Sequence, residues 1–324
     1  MPERARIDVL QLGPWLGLEL RDAIPPPFVV HSLFCAPDPE TLIAGCAADV
    51  RAVICHSGGP STTRALLDRL PKLELILNLG SGTESVDLDA AQERGIPVLS
   101  GVGLNAVDVA ELAMALVLAL GRDLLAGDRH VRAGRWPAGR SPIVHRVSGK
   151  RMGILGMGAI GQQIARRAAA FDMQIGYFSR RPVPTVPWRH EADPVRLALD
   201  SDFLVAALPG GDATHHLVNA DVMNALGNEG YLVNVGRGTV VDEAALVLAL
   251  DEGRIAGAAL DVVENEPVVS PGLMRSCRTI LQSHRGGLTH EAHHAVVQET
   301  ILRLERHFRD PIDRADQDLA TRAG

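Results

Sequence analysis

Lysine is almost missing from this chain: Lys72 and Lys150 are the only two among 32 basic residues. Chemistry that proceeds through a lysine Schiff base therefore has few candidates. Cysteine is scarce as well. Cys35, Cys46, Cys55 and Cys277 form no CxxC pair and lie mostly within apolar stretches, which suits reduced, buried thiols better than disulfides or a zinc site. No apolar run approaches the roughly 20 residues of a membrane-spanning helix, and the opening MPERARIDVL lacks the apolar centre of a signal peptide. A cytoplasmic protein with no membrane partner is the expectation. Nor does any Lys/Arg block stand apart to offset a formal charge of -7. A polyanion would be repelled, so nucleic acid is not an expected partner.

What is present is core material. A chain of 324 residues with 46% hydrophobic content accommodates two domains, each with its own buried core. Between residues 6 and 100, ARIDVLQL, FVVHSLF, RAVICHS, LELILNLG and IPVLS read as strands. The intervening ETLIAGCAADV, TRALLDRL and VDLDAAQERG read as helices, a βα alternation that implies a parallel sheet. NAVDVAELAMALVLALG is a long apolar helical stretch that needs cover on several faces, expected here from an interdomain or subunit contact. A loop-like segment rich in Gly, Pro and Arg follows, in which Trp136 either lines a site entrance or packs between domains. The alternation then restarts with RMGILGM, MQIGYFS, DFLVAALP, GYLVNVG, AGAALDVV and TILQSH as strands. That second set completes a doubly wound unit. The tail, about 290 to 324, reads as a polar helical stretch without a core of its own, expected to fold back on the first domain and make it discontinuous.

Gly156, Gly158 and Gly161 in ILGMGAIG follow an apolar strand and open a helical run. In that context the first glycine permits a tight turn, the second lets a pyrophosphate approach the backbone and the third allows close helix packing, with the phosphates at the helix N-terminus. The next strand ends at Ser179, Arg180 and Arg181, where an NAD-selective site would place Asp or Glu against the ribose 2'-hydroxyl. Two guanidiniums and no carboxylate favour a 2'-phosphate, hence NADP(H) as the preferred cofactor with NAD(H) as the second.

Three strands of the second set run toward residues of complementary chemistry: Arg237, Glu266 and His284. Ligands bind at the carboxyl ends of parallel strands, so these residues are expected to converge. An imidazole of suitable pKa can give a proton to a carbonyl oxygen, a carboxylate can hold it as imidazolium, and a forked guanidinium can bind a substrate carboxylate. That equipment suits hydride transfer to a small 2-oxo acid. In LGSGTESVD, Gly80 and Gly82 follow a strand end, so the amides of Ser81 and Gly82 can cradle the carboxylate.

The stretches GSGTESVDLDAA, NAVDVAELAMALVLAL, GKRMGILGMGAIG, LVNVGRGTVVDEAALVLAL, AGAALDVVENEP and SHRGG together resemble the D-isomer-specific 2-hydroxyacid dehydrogenase family over nearly the whole chain. The resemblance implies two α/β domains of Rossmann-like and flavodoxin-like type, with doubly wound parallel sheets and the cofactor domain inserted into the substrate domain. The expected division is 1–102 plus 286–324 for substrate and 103–285 for NADP(H). It also implies a homodimer formed through the cofactor domain. By resemblance Arg237, Glu266 and His284 fall on the family's catalytic trio, and Ser81 and Gly82 on its carboxylate loop. Gly156, Gly158, Ala159, Ile160, Gly161, Ser179, Arg180, Arg181, Leu208, Pro209, Thr214, Val235, Gly236, Asp261 and Gly287 fall on cofactor-contacting positions. YFSRRP looks like the NADPH-using glyoxylate, hydroxypyruvate and hydroxyphenylpyruvate reductases of that family, which implies reduction.

Two positions depart from the pattern: Arg285 stands where an aliphatic residue usually follows the histidine, and Glu84 replaces a more usual Asp. Arg285, facing the site, would bind a second acidic group on the substrate; turned to solvent, it would not. Serine at 81 separates this chain from a phosphite-oxidising branch that carries lysine in the loop, and Glu266 separates it from formate dehydrogenase relatives, which have glutamine. The alternative from another class is a dinucleotide-sensing binding protein, like the transcriptional corepressors that share this fold and retain the trio. His290, Glu291, His293 and His294 offer a helical face for a metal, but no further ligands of recognisable spacing accompany them, and no metal is expected.

Overall fold

The computed structural model describes residues 5–309. It divides into two compact units, the described parts of Met1–Leu104 with His290–Gly324, and Asn105–Thr289.

The first unit is a five-stranded sheet of β1 (Ile7–Gln11), β2 (Phe28–Ser32), β3 (Val50–Cys55), β4 (Leu75–Asn78) and β5 (Val98–Ser100), in the order β2-β1-β3-β4-β5. Every pairing is parallel. Strands β3 and β4 are almost wholly buried, as continuous apolar runs covered on both faces must be. One face packs against the helix His290–His307, whose Val296, Val297 and Leu304 join a core with Ile7, Val9, Phe28, Leu75 and Leu77. The polar tail segment thus contributes an apolar stripe to the first unit's core; its expected continuation over residues 310–324 lies outside the described residues.

The second unit contains β6 (Arg151–Leu155), β7 (Gln174–Phe178), β8 (Arg189–Glu191), β9 (Phe203–Ala206), β10 (Tyr231–Asn234), β11 (Gly257–Leu260) and β12 (Thr279–Leu281), ordered β12-β11-β10-β9-β6-β7-β8. All pairings are again parallel. The chain order reverses between β6 and β9, which creates the topological switch point at which such sheets bind ligands.

Three sequence expectations change here. The apolar helix, Ala106–Gly121, finds its cover inside its own unit: Val109, Ala110, Ala113, Met114, Leu116, Val117 and Leu120 enter a core shared with Ile164, Ala165 and Ala168 of the helix Ala159–Ala169 and with Val233 and Ala259 of the sheet. One face meets a sheet and another a helix, so breadth of apolar surface did not require a partner chain. Of the four thiols only Cys46 and Cys55 are buried, whereas Cys35 and Cys277 are exposed; Cys35 closes the short turn Leu33–Cys35 and Cys277 lies just beyond the helix Pro271–Arg275, so neither sits in a strand. Strand β8 and the helix Gly17–Ala23 were not read from the sequence. A three-residue polar strand, RHE, owes its existence to its partner rather than to propensity.

Candidate active site

The cofactor-type residues all lie beyond the carboxyl ends of the second unit's strands. Gly156 follows β6 with φ +102°, and a Cβ there would sit 2.8 Å from the Ala207 carbonyl oxygen. Gly161 is tighter still. Its Cβ would fall 1.9 Å from the Gly156 oxygen, so only glycine lets the helix Ala159–Ala169 approach the turn. Gly158 has open space on its Cβ side and caps that helix with no side-chain hydrogen bond. The first amides of an 11-residue helix are thereby left for an anion. These features fit a dinucleotide pyrophosphate, with Ala159 and Ile160 supplying the first turn.

Leu208 and Pro209 follow β9, across the switch point. Thr214 holds that loop, donating from Oγ1 to the Pro209 carbonyl at 2.7 Å. Val235 and Gly236 follow β10, and a Cβ at Gly236 would press to 2.4 Å from the Leu208 oxygen. Gly287, beyond β12, backs onto Asn105 in the same manner. Ser179, Arg180 and Arg181 follow β7, and both guanidiniums are exposed.

Glu266 and His284 meet. His284 Nδ1 donates to Glu266 Oε2 at 2.7 Å, which leaves Nε2 as the ring nitrogen for other work. That hydrogen bond pushes His284 above its ordinary pKa, outweighing partial burial and the Arg237 charge, which pull it down. Burial alone would raise Glu266; the His284 hydrogen bond and charge, the Val263 amide and Arg237 together hold it below its ordinary value. Arg237 therefore acts electrostatically on both partners, while its Nη1 donates to the Gly236 carbonyl at 2.9 Å.

Buried polar residues, most of them passed over in the sequence reading, brace this arrangement. Asn234, fully buried at the end of β10, donates to the Arg237 carbonyl at 3.0 Å and accepts from the Gly236 amide at 3.1 Å. Asp261, counted beforehand as a cofactor contact, accepts from the amides of Arg285 at 2.8 Å and Gly286 at 2.9 Å, and its carbonyl accepts from the His284 amide at 2.7 Å. His284 has φ +52°, a conformation that costs of order 1–3 kcal/mol unless its surroundings enforce it. Three backbone amides donating to one buried aspartate provide that enforcement. The buried Glu243 accepts from the Glu264 amide and so steadies the segment leading to Glu266.

Ser81 and Gly82 belong to the first unit, beyond β4. The Gly80 carbonyl accepts from the Gly101 amide at 2.9 Å and from Asn78 Nδ2 at 3.0 Å. Asn78 Nδ2 and Ser57 Oγ both donate to the Gly82 carbonyl. The loop is thus fixed through its carbonyls. Asn78 is buried and ends its strand as Asn234 does; an apolar run closing in Asn was the available signal for both.

The side chain of Arg285 is exposed, and Trp136 is 61% exposed. Among the described residues, the group whose potential metal-ligating atoms lie within 4.8 Å of one another is His215, His216 and Glu264, not the cluster around His290. His216 Nε2 and Glu264 Oε1 already engage each other at 2.7 Å, and His293 turns its ring edge-on to Trp15.

Residues 114–286 match the model of the D-isomer specific 2-hydroxyacid dehydrogenase, NAD binding domain. A 2-ketogluconate reductase of Gluconobacter oxydans is 40% identical over 79% of this chain and 83% of its own length. A glyoxylate/hydroxypyruvate reductase A of Arabidopsis thaliana is 38% identical over 93% of this chain and 96% of its own. Among solved structures, the NADPH-dependent glyoxylate/hydroxypyruvate reductase of Sinorhizobium meliloti, in complex with NADP and malonate, superposes with a TM-score of 0.82 at 34% identity, covering 92% of each chain. Matches of this extent, on a chain whose glycine turn fits a dinucleotide and whose histidine is held by a glutamate, establish that it belongs to the D-isomer-specific 2-hydroxyacid dehydrogenase family.

Proposed function

We propose that the protein reduces a small 2-oxo acid to the 2-hydroxy acid, with NADPH preferred over NADH. The observation that carries the proposal is the 2.7 Å contact between His284 Nδ1 and Glu266 Oε2. A bound nicotinamide supplies the hydride. His284 Nε2, opposite the nitrogen that Glu266 engages, delivers the proton to the carbonyl oxygen and takes it back in the oxidative direction. Arg237 pairs with the substrate carboxylate and stabilises charge on the polarised carbonyl. In the first unit, the amides of Ser81 and Gly82 are assigned to carboxylate binding. In this reading Gly156 to Gly161, Leu208, Pro209, Thr214, Val235, Gly236, Asp261 and Gly287 line the dinucleotide, and Arg180 and Arg181 meet its 2'-phosphate.

The cofactor preference draws support from the solved relative whose structure holds NADP, and the substrate class from relatives named glyoxylate/hydroxypyruvate and 2-ketogluconate reductases. Arg285 adjoins His284, so we assign it to a second polar or acidic group at the far end of the substrate. Cytoplasmic residence and assembly as a homodimer belong to the same proposal. No described helix is long and apolar enough to cross a membrane, and Leu124, Leu125, Val131, Trp136 and Ile143 of the second unit present exposed apolar surface for a second copy.

Five outcomes are expected. NADPH oxidation with glyoxylate or hydroxypyruvate should be rapid, and His284→Ala should lower kcat/KM on the order of 10²–10⁴-fold; tight cofactor binding without turnover would instead mark a sensor. Because Glu266 raises the His284 pKa, reduction should persist above pH 6.5 and fail as the imidazolium deprotonates. In Glu266→Gln that alkaline limb should move to lower pH, and an unmoved limb would contradict the assigned role. Native enzyme should favour NADPH in kcat/KM, and Arg180→Ala with Arg181→Ala should erase roughly 1.5–3 kcal/mol of that preference; a native preference for NADH would refute it. Arg285→Ala should hurt a dicarboxylic 2-oxo acid more than glyoxylate, whereas equal losses would remove Arg285 from the site. Sedimentation equilibrium should return twice the chain mass, and a monomer would exclude the dimer.

A further inference from the structure

The loop after β7 that carries Arg180 and Arg181 is tied at three points. Ser179 Oγ donates to the Arg181 carbonyl at 2.6 Å. The Val183 amide donates to the Tyr177 hydroxyl at 2.9 Å. The third tie comes from outside the loop: His190 Nε2 donates to the Ser179 carbonyl at 2.9 Å.

His190 reaches this carbonyl because the short edge strand β8 pairs in parallel with β7 in the register Tyr177↔His190. The two side chains therefore lie on one face of the sheet, with ring centroids 5.2 Å apart. Tyr177 is only 2% exposed, so the imidazole leans on a fixed wall. One ring thus packs against Tyr177, which holds Val183, and bonds Ser179, which holds Arg181.

The acidic groups nearby in sequence are engaged elsewhere. Arg189 pairs with Glu191 at 3.4 Å and Asp200 at 3.0 Å, and Glu191 also accepts from the Asp193 amide. The exposed guanidiniums of Arg180 and Arg181 therefore stand on a braced backbone, while Glu191 and Asp200 pair with Arg189. A rigid scaffold under exposed charges is what preorganised anion recognition requires.

We infer that His190 is a positioning residue for cofactor selectivity, setting the Ser179–Arg181 backbone so that both guanidiniums meet the 2'-phosphate of NADP(H). The inference rests on the proposed NADPH preference and deepens it. His190 touches neither substrate nor cofactor; it acts through the Ser179 carbonyl. Losing the tie would leave the adenosine-ribose contacts in place while loosening those to the 2'-phosphate.

The test is calorimetric titration of the full chain with adenosine 2',5'-bisphosphate and with AMP, beside the NADPH/NADH ratio of kcat/KM. His190→Phe keeps a ring against Tyr177 but removes the donor, and should reduce both the bisphosphate/AMP affinity ratio and the NADPH/NADH ratio about three- to tenfold. His190→Gln, which retains an N–H donor, should restore part of each. A His190→Phe protein that weakens both probes equally, or that keeps the native ratios, overturns the inference alone. Native protein binding bisphosphate and AMP equally overturns the NADPH reading and the inference together.

Discussion

A carboxylate 2.7 Å from an imidazole nitrogen decides which atom of the ring can react and whether it carries a proton. Glu266 fixes the tautomer by occupying Nδ1 and raises the affinity of His284 for its proton. Arg237 works against that gain, since its charge disfavours imidazolium, yet in the proposed reaction it is also the cation that pairs with the substrate carboxylate. The acid is therefore balanced between an anion that charges it and a cation that discharges it. A substrate carboxylate pairing with Arg237 would offset the opposing influence and favour the proton-donating form as the substrate arrives.

That balance depends on backbone held in costly shapes. His284 lies in the left-handed region, and the buried Asp261 secures the turn through the amides of Arg285 and Gly286. Asn234 does the equivalent for Arg237, and Asn78 for the Ser81 loop of the first unit. In each case a parallel strand, buried on both faces, ends in or beside a polar side chain that enters the core to capture the next loop. Exposed charges become precise because the loops that carry them are hydrogen-bonded to buried polar groups beneath.

Much of this was legible in the chain. Apolar runs alternating with amphipathic stretches announced two parallel sheets, and the spacing of Gly156, Gly158 and Gly161 announced the turn whose crowding the structure displays. Glu266 and His284 were found as polar residues beyond strand ends. What escaped is instructive. Asn78 and Asn234 look like ordinary strand-terminal polar residues, and Asp261 reads as a cofactor contact, until their hydrogen-bond partners are known, because local pattern reports amphipathicity and not which loop folds over which side chain. Strand β8 was invisible for a related reason: its polar RHE has no period to read, and pairing with β7 creates it. The helix Ala106–Gly121 was recognised, but its cover was misjudged, since an all-round apolar helix satisfies equally a subunit contact and a place between a sheet and a neighbouring helix.

In the folded protein Glu266 makes His284 a stronger base than a free imidazole. An NMR titration following the His284 ring nitrogens measures this directly. The expected result is an apparent pKa above the ordinary 6.5, with Nδ1 remaining protonated through the transition; a value at or below 6.5, or a neutral ring protonated at Nε2, would contradict the role given to Glu266.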